Sequence, residues 1–308
     1  KGNTTMTVKI TAPAIKARKG IDKIRMITAY DEPTARIADR AGADVILVGD
    51  SVANAVLGRS DTLGMTIDEM VYHTAAVARA EPNALIGGDM PWLSSHTTPK
   101  EAVHNAGRLI REGRAETVKL EGGEKRLDVI RAVLDAEIPV MGHLGLTPQS
   151  VHAMGGYRVQ GKQAAAAYEL ITEAKMLADA GIFAIVLEGV PDVVAEMVTA
   201  EIAVPTIGIG AGASCDGQVL VFHDVLGLHD QRTAKFVRQY AQLADVAVEA
   251  LEEFFADIQS GDFPGDAETY HMPRESAEIL RELSEGSRDL PGSGVVTDSF
   301  LADEAMEQ

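Results

Sequence analysis

The chain has 308 residues but a single cysteine, Cys215, and a single tryptophan, Trp92. One thiol forms no intrachain disulfide and builds no cysteine zinc cluster, so the sequence reads as that of a protein of the reducing cytoplasm. Cations are scarce as well: 28 Lys and Arg stand against 46 Asp and Glu, a net charge of −18. Nucleic-acid binding needs cationic surface, so this balance argues against a nucleic-acid partner. No apolar run approaches the roughly 18 residues of a membrane span, and residues 1–11 hold no signal-peptide core, so no membrane partner is expected. No GxGxxG opens the first strand-to-helix turn, which removes the main signature of a dinucleotide-binding sheet. The glycine-rich run Gly208-Ile209-Gly210-Ala211-Gly212 lacks the lysine of a P-loop.

What is present is apolar and rhythmic. Hydrophobic residues make up 46% of the chain, enough to bury a large core. Short apolar strands read at 24–28, 44–49, 85–88, 116–121, 138–142, 183–187, 204–209 and 219–222. Helical patterns separate most of them, at 32–40, 66–80, 98–112, 124–137, 163–180 and 192–199, with a last one at 233–255. Start signals support several helices: Thr66 with Glu69 is a capping box, and Thr98 precedes Pro99 at a first helical position. The seventh and eighth strands are joined by a short turn, so one helix is missing or degenerate. Eight strand–helix units over roughly 240 residues match an α/β fold of the (β/α)8 TIM-barrel type better than an open doubly wound sheet. Around it, residues 1–23 read as a loosely attached N-terminal arm with a short helix. The barrel is expected over 24–272. An acidic C-terminal extension follows at 273–308, amphipathic at 274–285 and flexible beyond 291.

In such a barrel the carboxyl ends of the strands meet at one mouth. The strand Thr117-Val118-Lys119-Leu120-Glu121 is the informative one, because side chains alternate faces and Lys119 and Glu121 therefore project together. The other strand ends supply Asp50 with Ser51, Asp89, His143 and Glu188, with Tyr30-Asp31 and His223-Asp224 as more remote neighbours. Asp50, Asp89 and Glu121 come from consecutive strands about 5 Å apart, and three converging carboxylates repel unless a divalent cation lies between them. Oxygen ligands favour Mg²⁺. Taken singly, Asp50 and Asp89 also read as helix caps or turn residues, Lys119 as the partner of a structural ion pair, and His143 as a satisfied core histidine. Lys119 and His143 are suited to hold an anionic substrate or stabilise developing negative charge; a Schiff-base role for Lys119 is the alternative. Glu188 leaves the apolar run Ile185-Val186-Leu187 and is a candidate general base, with a hydrogen bond to the following turn as its plainer reading. Residues 144–162 form a long polar, glycine-rich segment placed to cover the mouth.

Several stretches carry a family resemblance. They are Leu47-Val48-Gly49-Asp50-Ser51, Gly88-Asp89-Met90-Pro91, Val118-Lys119-Leu120-Glu121-Gly122-Gly123, and the run from Gly142-His143 through Pro148-Gln149-Ser150. Then come Gly155-Gly156-Tyr157-Arg158-Val159-Gln160-Gly161, Leu187-Glu188 and the run from Pro205 to Val219. Together they resemble the ketopantoate hydroxymethyltransferase family over about 24–272. The resemblance implies a phosphoenolpyruvate-mutase-like barrel and a homo-oligomer, often a decamer. It implies small-molecule substrates: transfer of a hydroxymethyl group from 5,10-methylenetetrahydrofolate to 3-methyl-2-oxobutanoate, giving ketopantoate for pantothenate and coenzyme A. It places Mg²⁺ on Asp50, Asp89 and Glu121, substrate on Asp50, Ser51, Asp89, Lys119 and His143, and the general base on Glu188. After Asp50-Ser51 the family usually has Leu-Gly-Met, where this chain has Val52-Ala53-Asn54. Two rival functions remain beside this one: a Mg²⁺-dependent lyase or mutase on an oxaloacetate-like acid, which commonly uses a cysteine on a mobile loop, and a non-enzymatic metabolite-binding scaffold.

Overall fold

The computed structural model describes residues 8–229 and 233–286. Eight parallel strands close into a barrel in sequence order: β1 (Ile24–Thr28), β2 (Val45–Val48), β3 (Leu85–Asp89), β4 (Thr117–Glu121), β5 (Val140–Gly145), β6 (Ala184–Glu188), β7 (Thr206–Ile209) and β8 (Gly217–Leu220). β8 pairs back onto β1, which leaves no free sheet edge. Helices α2 (Glu32–Arg40), α4 (Ile67–Ala78), α5 (Pro99–Arg111), α6 (Leu127–Asp135), α8 (Ala164–Ala180) and α9 (Asp192–Glu201) are the crossovers. They are preceded by the short arm helix α1 (Ala12–Lys16) and interleaved with the short helices α3 (Val52–Ala55) and α7 (Val151–Met154). The expected start signals are formed: the Thr66 hydroxyl accepts the Glu69 backbone N–H at 3.2 Å while the Glu69 carboxylate accepts that of Thr66 at 2.8 Å. No helix joins β7 to β8.

The two-residue period of the strands sorts side chains between an outer and an inner face. Ile46, Val48, Val118, Leu120, Ile185 and Leu187 face outward into the layer shared with the helices. Met26, Leu47, Leu85, Met141, Val186 and Val219 form an inner apolar layer low in the barrel. Continuing the same period toward the carboxyl ends carries Asp89 on β3, Lys119 and Glu121 on β4, His143 on β5 and Glu188 on β6 to the top of that layer. An apolar floor therefore lies beneath every ionisable group of the mouth.

Residues 8–23 are not loose, contrary to expectation. Ile15 is fully buried in the inner layer, Arg18 meets Asp44 at 2.9 Å and Lys19 meets Asp216 at 2.8 Å. This segment plugs the amino end of the barrel, where the strand starts would otherwise expose apolar side chains. Ile15→Ala should cost about 2–4 kcal/mol in chemical unfolding, the range for truncating a fully buried aliphatic residue. A cost near zero would mean that the plug does not hold in solution.

Two further expectations shift. The last strand starts at Gly217, not Val219, and Phe222 opens the short helix α10 (Phe222–Leu226). A Cβ at Gly217 would lie 2.5 Å from the Ile24 carbonyl oxygen and 2.7 Å from Ile207, so only glycine lets the chain enter between β1 and β7. The helix expected at 233–255 starts ten residues late, as α11 (Leu243–Ser260), because the Tyr240 N–H donates to the Val225 carbonyl and that of Ala244 to Gly227. Cys215 is buried just ahead of β8, at the base of the barrel and away from the mouth. The described residues fall into two compact units that divide between Val246 and Ala247. α11 buries none of its residues, and α12 (Arg274–Gly286) matches the amphipathic segment expected at 274–285. The flexible tail expected beyond 291 lies outside the described residues.

Candidate active site

A cavity of about 390 Å³ opens at the carboxyl ends of the strands. Asp50, Ser51, Asp89, Lys119, Glu121, His143 and Glu188 all line it. Strand register sets them side by side: Asp89 is the partner of Lys119, Glu121 of His143, and Gly145 of Glu188. Asp50 follows β2 and its backbone N–H donates to Asp89 Oδ2 at 3.3 Å. Lys119 Nζ lies 2.8 Å from Asp89 Oδ2, 3.8 Å from Glu121 Oε1 and 3.2 Å from His143 Nδ1. His143 Nδ1 stands 3.4 Å from Glu121 Oε1, and its Nε2 stands 3.3 Å from Glu188 Oε2. The Glu188 side chain is 16% exposed, against 2% for His143 and Glu121, so it is the carboxylate of this cluster most open to the cavity.

Burial and mutual repulsion set the charge states. Asp50 is pushed up to about 8 by burial and by the charges of Asp89 and Glu121. Asp89 is pushed up by burial, although Lys119 opposes the shift. Glu121 is held low despite burial, because His143, Lys119 and a backbone N–H favour its ionised form. Burial presses on the Lys119 ammonium, but Asp89, Glu121 and Asp50 outweigh it and raise its affinity for the proton. A Schiff base needs a neutral amine, so these contacts oppose that alternative. Burial and Lys119 press His143 down, yet Glu121 and Glu188 carry it up to about 9.

Asp50, Asp89, Glu121 and Glu188 crowd around Lys119 and His143, and a divalent cation among the first three would relieve the repulsion that pushes Asp50 up. Asp89 Oδ1 and Glu121 Oε1 are buried without a hydrogen-bond partner, which is costly for a carboxylate. Oxygen donors of this kind fit Mg²⁺. Among the described residues, no group of three or more His, Cys, Asp or Glu side chains already stands in an arrangement that could hold a metal ion.

Tyr30, read from the end of the first strand as a remote neighbour, is fully buried, and its hydroxyl lies 2.7 Å from Ser51 Oγ and so orients it. The structure also adds residues that strand ends do not reveal. Gln149, in the 3₁₀ turn Pro148–Ser150 after β5, is buried against two of the carboxylates. Tyr157, in the long segment after β5, lines the cavity. Asp31 caps α2, accepting the Thr34 N–H at 2.9 Å, and takes no part in the mouth. Asp224 pairs with His229 at 2.6 Å in α10 and the turn after it.

The fold defines a class first, the closed (β/α)8 barrels of parallel strands with their polar groups at the carboxyl ends. A solved 2,3-dimethylmalate lyase, a PEP mutase/isocitrate lyase superfamily member, has the same fold, with a TM-score of 0.52 and 17% identity over 91% of this chain and 94% of its own. The family is closer to hand: the model of ketopantoate hydroxymethyltransferase matches residues 9–266, and this chain belongs to that family. The 3-methyl-2-oxobutanoate hydroxymethyltransferase of Koribacter versatilis (strain Ellin345) is 52% identical over 273 residues, covering 88% of this chain and 92% of the relative. The protein of the same name from Moorella thermoacetica (strain ATCC 39073 / JCM 9320) is 52% identical over 263 residues, covering 85% and 98%.

Proposed function

We propose that this protein transfers a hydroxymethyl group from 5,10-methylenetetrahydrofolate to 3-methyl-2-oxobutanoate, giving ketopantoate for pantothenate and coenzyme A biosynthesis. The observation that carries the reading is the mouth itself: in a chain of this family, a buried cation (Lys119) and a more open carboxylate (Glu188) flank one small cavity, joined through His143.

Asp50, Asp89 and Glu121 are the residues that would hold Mg²⁺, and the ion would supply Lewis-acid polarisation of the 2-oxo group. Glu188 takes the proton from C3 of the oxo acid. The electron pair left on C3 delocalises onto the ketone oxygen, where Lys119 and His143 offset the developing charge. Ser51, oriented by Tyr30, joins Asp50 and Asp89 in holding the substrate. C3 then bonds to the one-carbon unit as its bond to one folate nitrogen breaks, and water displaces it from the second nitrogen; each departing electron pair stays on its nitrogen, which takes up a proton, one originally from C3 and one from the water. One water is consumed overall, and its oxygen becomes the new hydroxyl. The apolar floor of Leu47, Val186 and Val219 excludes water from below. The reading includes cytoplasmic location and assembly of several copies, which the exposed Leu251, Phe254, Phe255 and Ile258 of α11 support. No helix among the described residues is long and apolar enough to cross a membrane.

The test is deuterium exchange at C3 of 3-methyl-2-oxobutanoate, followed by NMR with Mg²⁺ and with EDTA. Exchange that needs the metal is the expected result, with ketopantoate formed on adding methylenetetrahydrofolate. Absence of exchange under every condition would exclude the enolisation step. It would return attention to the lyase reading, which Cys215 disfavours because it is buried at the base of the barrel. It would equally return attention to the scaffold reading.

A further inference from the structure

Gln149 is remote in sequence from every strand that carries a carboxylate of the mouth, yet it touches the ends of three of them. Its side-chain Nε2 donates to Asp50 Oδ2 at 3.0 Å and to the Met90 carbonyl at 3.0 Å. Its backbone N–H donates to Glu121 Oε2 at 3.1 Å. One residue of the loop after β5 thus bridges the ends of β2, β3 and β4. The Met90 carbonyl fixes the orientation of the amide, because it can only accept and a flipped amide would set oxygen against oxygen there. Gln149 is 4% exposed, and its own Oε1 is buried without a partner.

We propose that Gln149 is the positioning residue of the carboxylate set, holding one oxygen of Asp50 and one of Glu121 so that their other oxygens are left for a divalent cation. The physical need is plain. Buried like charges push one another toward different rotamers, and an aspartate on a loop has no strand register to resist this. A donor clamp resists it and adds no charge. A carboxylate or lysine at the same position would change the charge of the site, and an aliphatic residue would leave Asp50 Oδ2 and the Met90 carbonyl unpaired. The 3₁₀ turn brings the backbone N–H and the side-chain amide to bear at once, and Pro148 stiffens it. The inference rests on the metal reading of the previous section.

The test uses the full chain and Mn²⁺ as the probe, with affinity read by electron paramagnetic resonance and by calorimetry in the absence of substrate. Gln149→Met keeps the length and volume but removes the side-chain donor to Asp50 and Met90, leaving the backbone bond to Glu121. It should bind Mn²⁺ about 10- to 100-fold more weakly, the usual cost of losing an outer hydrogen bond to a metal ligand. Gln149→Asn keeps an amide on a shorter arm, which reaches one acceptor and not both, and should fall between; it also serves if the methionine variant does not fold. At saturating Mg²⁺ the rate of C3 exchange should recover in either variant, so the defect appears as a raised metal requirement rather than a lost kcat. Mn²⁺ bound equally by wild type and both variants, with only the melting temperature lowered, would make Gln149 merely structural and overturn the proposal. A wild-type protein that binds no Mn²⁺ would overturn the metal reading itself, and this inference with it.

Discussion

Glu188→Gln should reduce Mg²⁺-dependent exchange at C3 of 3-methyl-2-oxobutanoate by about 10²- to 10⁴-fold, the range contributed by a positioned general base. The substitution keeps the shape and a hydrogen-bonding group beside His143, 3.3 Å from the present carboxylate oxygen, and removes only the ability to accept the proton. Glu188 is singled out because its side chain is 16% exposed, against 1% for Asp89 and 2% for Glu121. Asp89 Oδ2 is tied to Lys119 and Glu121 Oε2 to the Gln149 backbone, while Glu188 ends its strand against the open part of the cavity. Substrate and Mn²⁺ affinity should stay within a few-fold of wild type, which separates a lost base from a collapsed site. Exchange that persists in Glu188→Gln would move the base to Glu121 or His143. It would leave Glu188 as a residue that orients the imidazole.

Much of this mouth is legible in the sequence, for a specific reason. In a parallel barrel the period of two and the common direction of the strands are enough to say which residues share a face and an end. Lys119 and Glu121 follow from alternation along one strand, and Asp89, His143 and Glu188 from the ends of their own strands. Gln149 was not legible, even though it stands inside a family-like run, because its partners are 28 and 99 residues away and are reached only after the 3₁₀ turn folds the loop inward. The plug at 8–23 was hidden because isolated apolar residues such as Ile15 in a polar, basic stretch give no periodic signal. The late start of α11 has a similar cause. Phe236, Val237 and Tyr240 carry an apolar pattern, but backbone bonds to Val225 and Gly227 hold residues 240–244 against the end of α10. Local pattern failed wherever a long-range backbone contact decided the conformation.

Lys119→Met should lower the exchange rate by about 10²- to 10³-fold, the cost of removing one preorganised group that stabilises a developing oxyanion. Methionine retains the apolar stem against the barrel floor, so the change is one of charge. The ammonium is buried with 6% of its side chain exposed, and its closest contact is Asp89 Oδ2 at 2.8 Å. Removing one partner of such a pair leaves the other uncompensated, a loss on the order of 3–5 kcal/mol in the metal-free protein. That loss gives the experiment a second reading, because a divalent cation at Asp50, Asp89 and Glu121 replaces the missing positive charge. Mg²⁺ should therefore raise the melting temperature of Lys119→Met more than that of wild type, while the rate stays low because the cation cannot also stand where the ammonium meets the substrate oxygen. Lys119→Arg should not restore the rate, since the planar guanidinium is too wide for a position enclosed by Asp89, Glu121 and His143. A rate within a few-fold of wild type in Lys119→Met would reduce the lysine to a structural counter-charge. The electrostatic work would then fall on His143 alone.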